Sequence, residues 1–363
     1  MVHAPPRPRP GQAPVRINLY SDTQTRPTPA MKDAMMRAEV GDEQSGLDPT
    51  IDALCERSAA MFGKQAGIFL PTGTMCNQIA VLTHCRPGEA ILAHHTAHIL
   101  NSEGGAAAAL TGVQITPLDG PRGQFTAETL AAALIRNPSR YDTPQTLVEV
   151  EQTANLGGGS VWTLAALRAV ADLAHEHGIV THMDGARVLN AVVAAGVAAS
   201  DMVAGYDSVW LDFTKGLGAP LGAVMCGSAD FIDRAWRWKQ RLGGALRQGG
   251  LCAAGCLYAL DHHVDRLADD HGNAKALARG LAQIEGFAVE EPETNLVFCD
   301  MSATGRTGEA IADALRDQGI MISVMGRHRL RLCTHLDVTL AQVHEAVAAM
   351  RIVAADHKTV SIT

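Results

Sequence analysis

The chain has 363 residues, 47% apolar and 19% charged, with a formal net charge of −8. That is enough for one large and one smaller domain with an ample core, and it does not fit a disordered chain. The acidic balance argues against a general nucleic-acid binder, whose footprint is a basic patch, and single basic clusters such as "DRAWRWKQRLGG" read as a solvated helix face.

In chain order, "MVHAPPRPRPGQAP" is a proline-rich arm over residues 1–16, expected to be mobile or to clasp a partner subunit. It lacks the apolar core of a signal peptide, and no run near 18 apolar residues follows, so neither export nor a membrane span is expected and the protein is read as cytoplasmic. "QAGIFLPTGT" reads as an apolar strand feeding a turn, and "MCNQIAVLTHC" as the helix after it; "GEAILAHHTAH" repeats the strand-to-loop pattern. "QTLVEVEQT", "GIVTHMDGAR" and "DSVWLDFTKG" read as three more buried strands, with the helix "TLAALRAVADLAHEHG" between the first two. Continuous apolar strands separated by helices predict a parallel α/β sheet covered on both faces, over residues 17–255. From about residue 256 the pattern changes to a long helical region, "YALDHHVDRLADDHGNAKALARGLAQI", then strands "NLVFCDM" and "RLRLCTH" with helices between and after, which predicts a smaller α+β domain to residue 352 and a tail over 353–363. The eight cysteines lie mostly in apolar runs and read as buried free thiols; Cys252 and Cys256 are helix-spaced but lack partners at metal-site spacing. No metal is expected.

Ligands of such sheets collect at the carboxyl ends of the strands. Three strands deliver polar groups there: Asp184 from "THMDGAR", Lys215 from "DFTKG", and the hydroxyls of "PTGTMCN", where Gly73 and Thr74 would offer backbone N–H groups at a helix N-terminus. Taken singly, Gly73 and Thr74 fit a capping turn, Asp184 a cap or salt bridge, and Lys215 a snorkelling side chain. Together, an amine able to form a Schiff base, a carboxylate able to keep a pyridine nitrogen protonated, and a phosphate cradle are the parts that pyridoxal 5'-phosphate (PLP) chemistry requires.

The segments "NLYSDTQTRPTPAM", "AEVGDEQSGLDPT", "FLPTGTMCNQIA", "AHILNSEGGAAA", "HMDGARVLNA", "DFTKGLGAPLGAVMCGS", "GGALRQGG" and "RLRLCTHLDV" resemble, in that order, the L-threonine aldolase family of fold type I PLP enzymes, related to the aromatic amino acid β-eliminating lyases. The resemblance covers about residues 17–352. It implies an aspartate aminotransferase-like large domain that binds PLP, with a smaller C-terminal domain. It also implies retro-aldol cleavage of a β-hydroxy-α-amino acid to glycine and an aldehyde. Lys215 then corresponds to the Schiff-base lysine, Asp184 to the partner of the pyridine nitrogen and His98 to the imidazole stacked on the ring. Gly73 and Thr74 correspond to phosphate ligands, and Arg247 to a group reaching a phosphate across a subunit boundary. Ser21, Arg187 and Arg331 correspond to groups around the substrate carboxylate, although each arginine also fits an ordinary ion pair. A homo-oligomer, dimer or tetramer, is expected.

Two departures bear on substrate. The family's "ENTHN" is "EQTAN" here, placing Ala154 where a histidine is expected, and its "DDVYGEDPT" is "DEQSGLDPT", with Ser45 in place of a tyrosine. Both changes shrink side chains expected to border the substrate's distal end, so an aryl group, as in phenylserine, is expected to fit; alternatively His94 or His95 fills the space beside Ala154. A PLP-dependent β-eliminating lyase or amino acid racemase would share the same core residues, and a non-catalytic PLP-fold binding module would share only the fold.

Overall fold

The structure, a computed structural model, describes residues 9, 11–137 and 139–355. Residues 1–8 and 10 of the expected arm and 356–363 of the expected tail lie outside the described residues. The chain divides into two compact units: Pro27–Asp265, and a second built from the segment that ends at Arg26 and the one that begins at Arg266. Among the described residues twelve strands follow one another in chain order. They are β1 (Ile17–Leu19), β2 (Ala66–Leu70), β3 (Ala90–His94), β4 (Gln114–Leu118), β5 (Gln145–Glu151), β6 (Val180–Gly185), β7 (Ser208–Asp212), β8 (Ala223–Gly227), β9 (Ala288–Val289), β10 (Leu296–Asp300), β11 (Ile320–Gly326) and β12 (Arg329–Cys333).

The larger unit holds a seven-stranded sheet in the order β2-β8-β7-β6-β5-β3-β4. Strands β4, β3, β5, β6 and β7 pair in parallel, as the alternation of apolar strands and helices predicts. β8 is the exception, running antiparallel to both β7 and β2. The link from β7 to β8, residues 213–222, is too short for the crossover that a parallel neighbour needs, so the chain returns antiparallel. That link carries Lys215. In the register, Glu149 stands opposite His182 and His182 opposite Ser208, while Glu151, Asp184 and Trp210 form the next row. Side chains alternate faces along a strand, so both rows share one face. The helix Gly73–His84 packs there, with Asn77 bonded to Asp184 and His84 to Ser208.

In the smaller unit a five-stranded sheet runs β1-β11-β12-β10-β9, with β1 parallel to β11 and the other pairs antiparallel. Helices Leu267–Leu281, Gly308–Asp317 and Leu340–Ala355 cover it, packing Leu277, Leu281, Ile311 and Met350 against Ile17, Leu19 and Leu332. Residues 17–26 therefore belong with the C-terminal segment, not with the sheet that follows them in sequence. The described part of the arm bonds within this unit too: Arg9 Nη2 and Gln12 Nε2 both donate to Asp317 Oδ1, at 3.3 and 2.9 Å. The helical region expected over 258–284 is formed by two helices, Gly250–His262 and Leu267–Leu281; His263, just past the first, shares a 2.7 Å hydrogen bond through Nδ1 with the carbonyl of Leu217. Leu340–Ala355 runs past the boundary expected at 352. All eight cysteines are free thiols. Among the described residues no helix is long and apolar enough to cross a membrane.

Candidate active site

A lysine at the end of a buried strand needs a partner for its charge. Lys215 has one: its Nζ lies 2.9 Å from Asp212 Oδ2 with the side chain only 16% exposed, and 5.5 Å from the centre of the Trp210 ring. The other carboxylate oxygen, Asp212 Oδ1, accepts from the backbone N–H and the hydroxyl of Thr214, at 2.8 and 2.7 Å. Gly218, at φ 76°, closes the turn by donating to the Lys215 carbonyl at 2.9 Å; that left-handed conformation favours glycine. The anchor and the turn thus aim the amine from the carboxyl end of β7.

Asp184 lies next to β7 at the end of β6, fully buried. Asn77 Nδ2 donates to its Oδ2 at 2.8 Å and the Ala186 N–H to its Oδ1 at 3.0 Å. Burial raises its pKa, and the opposing charges of His98 and Lys215, with the two hydrogen bonds, only partly offset that. Asn77 Nδ2 also donates to Glu103 Oε1 at 2.7 Å, and Gln78 donates to the other oxygen of that carboxylate. Glu103 Oε1 in turn lies 2.7 Å from His98 Nδ1. Burial pulls His98 down, but the Glu103 hydrogen bond and the carboxylates of Asp184, Glu103 and Glu151 together lift it above the ordinary histidine value. His98, Glu103 and Asp184 thereby place ligand-type atoms within 4.8 Å of one another, a cluster that sequence spacing did not reveal. Its donors already serve this network: Nδ1 of the histidine and both carboxylates are engaged with one another or with Asn77.

The N-terminus of the helix Gly73–His84 abuts the same group. Thr72 caps it by accepting from Met75 N at 3.2 Å. A Cβ built at Gly73 would collide with the Trp210 ring, so glycine is required there by packing as well as by any close approach of an anion. Thr74 is exposed in the first turn.

Arg187 is buried at the start of the helix Val188–Ala195, and its positive charge is one of the influences that hold down the Glu151 carboxyl. Burial and the Asp184 charge nevertheless push Glu151 up to about 7, against the N–H of Asn155, which it accepts at 2.8 Å, and the charge of His98. Ala154 follows β5 with its methyl buried: Cβ atoms built at Gly123 and Gly157 would lie 2.6 and 3.0 Å from it. Main chain of the 120–124 segment therefore takes the space beside Ala154. His94 braces that segment, 3.0 Å from the Gly120 carbonyl, with the His95 ring at 4.2 Å, and a histidine at 154 would have to displace it.

Ser45 and Arg247 are exposed and lie on neighbouring loops. Arg247 pairs with Asp42 at 2.9 Å, and the Arg247 carbonyl accepts from Glu43 N at 3.0 Å. Glu43 receives the buried Lys239 ammonium and, at 2.7 Å, the Leu246 N–H. The remaining expected groups, Ser21 and Arg331, belong to the smaller unit. Ser21 is buried and accepts from Thr23 N at 3.2 Å; Arg331 is buried on β12 and donates to the Tyr20 carbonyl at 3.4 Å.

The structure thus joins Lys215, Asp184, His98 and Gly73 through residues to which sequence reasoning gave no role: Asn77, Glu103, Trp210, Asp212 and Glu151. Only the acidic side chains in the apolar run "TLVEVE" carried a local signal, because a carboxylate in a buried strand is costly without a task. Asn77 has none, since an amide within an apolar helix looks the same whatever it touches.

The beta-eliminating lyase family profile matches residues 18–304. The chain is 38% identical to low-specificity L-threonine aldolase 1 of Arabidopsis thaliana over 92% of this chain and 95% of that one. It is likewise 38% identical to the low specificity L-threonine aldolase of Escherichia coli K12 over 92% and 98%. The threonine aldolase of Leishmania major superposes with a TM-score of 0.80 at 22% identity, over 93% of this chain and 100% of that one, and so shares the fold.

Proposed function

Because the chain belongs to the beta-eliminating lyase family, we propose that it is a PLP-dependent aldolase that breaks the Cα–Cβ bond of L-β-hydroxy-α-amino acids, releasing glycine and an aldehyde. One observation carries this reading: a paired amine, Lys215, and a buried carboxylate, Asp184, stand at the carboxyl ends of adjacent strands beside a capped helix N-terminus. That donor set fits PLP, which needs an attachment amine, an anion for its ring nitrogen and N–H donors for its phosphate. Bound there, the cofactor supplies an electron sink for the carbanion left on the glycine carbon.

The chain's own residues divide the remaining work. Lys215 Nζ is the attachment amine, and Asp212 Oδ2 keeps it oriented and holds its proton when it is free. Asp184, fixed by Asn77 and Ala186, keeps a proton on the ring nitrogen. His98, held by Glu103, would help hold the ring. Gly73 and Thr74 present N–H groups to the phosphate, with Arg247 serving that of a neighbouring subunit in a dimer or tetramer. Arg187 is suited to the substrate's α-carboxylate, as are the hydroxyl of Ser21 and the guanidinium of Arg331.

Within this class the substrate is taken to carry a large β-substituent, with phenylserine favoured over threonine. Support comes from the small side chain of Ser45; the space beside Ala154 is taken by the main chain of the 120–124 segment. The test is to incubate the PLP-loaded protein with threonine and with phenylserine and identify the products. Glycine with acetaldehyde or benzaldehyde is expected. Ammonia with a keto acid would make it a β-eliminating lyase, an inverted Cα a racemase, and no turnover a binding module.

A further inference from the structure

We infer that Asn77 is a positioning residue through which a buried chain of hydrogen-bond donors, beginning at His84, holds Asp184 in place for the cofactor's ring nitrogen and, through Glu103, fixes His98. This rests on the assignment of Asp184 and His98 made above.

Asn77 is fully buried, and its amide is saturated. Both N–H bonds are spent on carboxylates, Asp184 Oδ2 at 2.8 Å and Glu103 Oε1 at 2.7 Å. Its oxygen lies 2.7 Å from Trp210 Nε1 and 3.4 Å from His182 Nε2. Two donors and two acceptor sites are all that an amide offers. The flipped amide would turn its oxygen toward two carboxylates, so chemistry fixes the orientation. Aspartate has the shape but cannot donate, and glutamine is a methylene too long for four short contacts.

The chain continues behind it. His182 Nδ1 lies 2.8 Å from Ser208 Oγ, and the same oxygen lies 2.8 Å from His84 Nε2. Burial drives both imidazoles neutral, His182 to about 3 and His84 to about 4. A neutral imidazole has one donor, so the directions follow. His84 Nε2 donates to Ser208 Oγ, Ser208 to His182 Nδ1, His182 Nε2 to Asn77 Oδ1, and Asn77 to Asp184. Every donor points toward the carboxylate, and bonds aligned in one direction polarise one another. Asn77 therefore does three things at once: it opposes the cost of burying the Asp184 charge, sets Glu103 against His98, and seats Trp210 beside Lys215.

The test is equilibrium binding of PLP to the apo-protein, read together with the visible absorbance of the bound cofactor. Asn77→Ala should weaken binding about 10- to 100-fold, the range for a hydrogen bond to a charged group, and shift the absorbance. Asn77→Ser keeps one donor and should fall between, which provides a reading should the alanine variant not fold. His182→Phe, which breaks the chain one bond further back, should lose about two- to fivefold. Binding within twofold of the unaltered protein in Asn77→Ala or Asn77→Ser, with only a lower melting temperature, would overturn the inference, since packing alone would then explain the residue. Asp184→Ala separates the two levels. If it too binds PLP normally, the site assignment falls and takes the inference with it. If it loses binding while the Asn77 variants do not, only the inference fails.

Discussion

Around Asp184 each polar group is held by several buried others, whereas Ser45 and Arg247 stand on exposed loops whose tips are joined only by surface contacts such as the Arg247–Asp42 pair. Asn77, Ala186, Glu103 and Gln78 leave the Asp184–His98 group little freedom. The two loops rest instead on the buried Glu43–Lys239 pair and on Asp48, which accepts from Gly41, Ile51 and Gly250 N–H groups at 3.2, 3.1 and 2.8 Å. A Cβ at Gly250 would collide with the Asp48 carboxylate, so that anchor too demands glycine. The difference separates two needs. The groups proposed to hold the cofactor's ring need fixed geometry, and buried shared hydrogen bonds supply it. The residue proposed to select a side chain, Ser45, can be exchanged on its loop while the anchor beneath stays intact.

The largest test of this contrast lies in the rigid region. Lys215→Ala should leave a folded protein whose kcat falls by roughly 10^4-fold or more, because the covalent role proposed for it has no substitute. Steady-state kinetics with far-ultraviolet circular dichroism checks both halves. Next comes the loop anchor. Lys239→Met strands the Glu43 carboxylate in the interior and should lower folding stability by about 3–5 kcal/mol, whereas Lys239→Met with Glu43→Leu should recover much of it. Urea unfolding of the apo-protein decides; equal losses in the single and double variants would mean that Glu43 serves the loop chiefly through the Leu246 N–H.

Legibility in the sequence follows the same division. Lys215 and Asp184 stood out because each ends an apolar strand at a glycine, a local pattern. Asn77, Trp210 and Glu103 did not, because their meaning is a set of contacts across distant segments such as Asn77 to Asp184 and Asn77 to Trp210. β8 was hidden in a glycine-rich stretch, and its reversed direction depends on the length of the 213–222 link. β1, three residues long, shows no periodicity; only its pairing with β11 places residues 17–26 in the smaller unit. The break at His263 carries neither glycine nor proline, and a tertiary contact with Leu217 marks the helix end.

A smaller effect is expected at the loop tip. Ser45→Tyr should reduce the ratio of kcat/KM for phenylserine over threonine by about tenfold, the value of a modest steric misfit. An unchanged ratio would place the distal pocket elsewhere. Ala154→His is a poorer probe, because it presses on Gly123 and Gly157 and overpacking costs about 1–3 kcal/mol by itself.

The smallest effect is a slope. Glu151 is raised from its ordinary 4.5 to about 7, chiefly by burial, so between those values the folded chain binds a proton there that the unfolded chain has released. Stability must therefore fall as pH rises through that window. Glu151→Gln should make the decline of the urea midpoint between pH 4.5 and pH 7 shallower. A variant with the same slope would show that other buried carboxyls, such as Glu149 and Asp184, carry it.

The most direct test of the site is chemical. The chain has lysines at 32, 64, 215, 239, 275 and 358. Reducing the PLP-loaded protein with borohydride fixes the cofactor to whichever one carries it, and mass spectrometry of the digested protein locates the added group. The account predicts the label on Lys215. A label on any other lysine, or none, would contradict it.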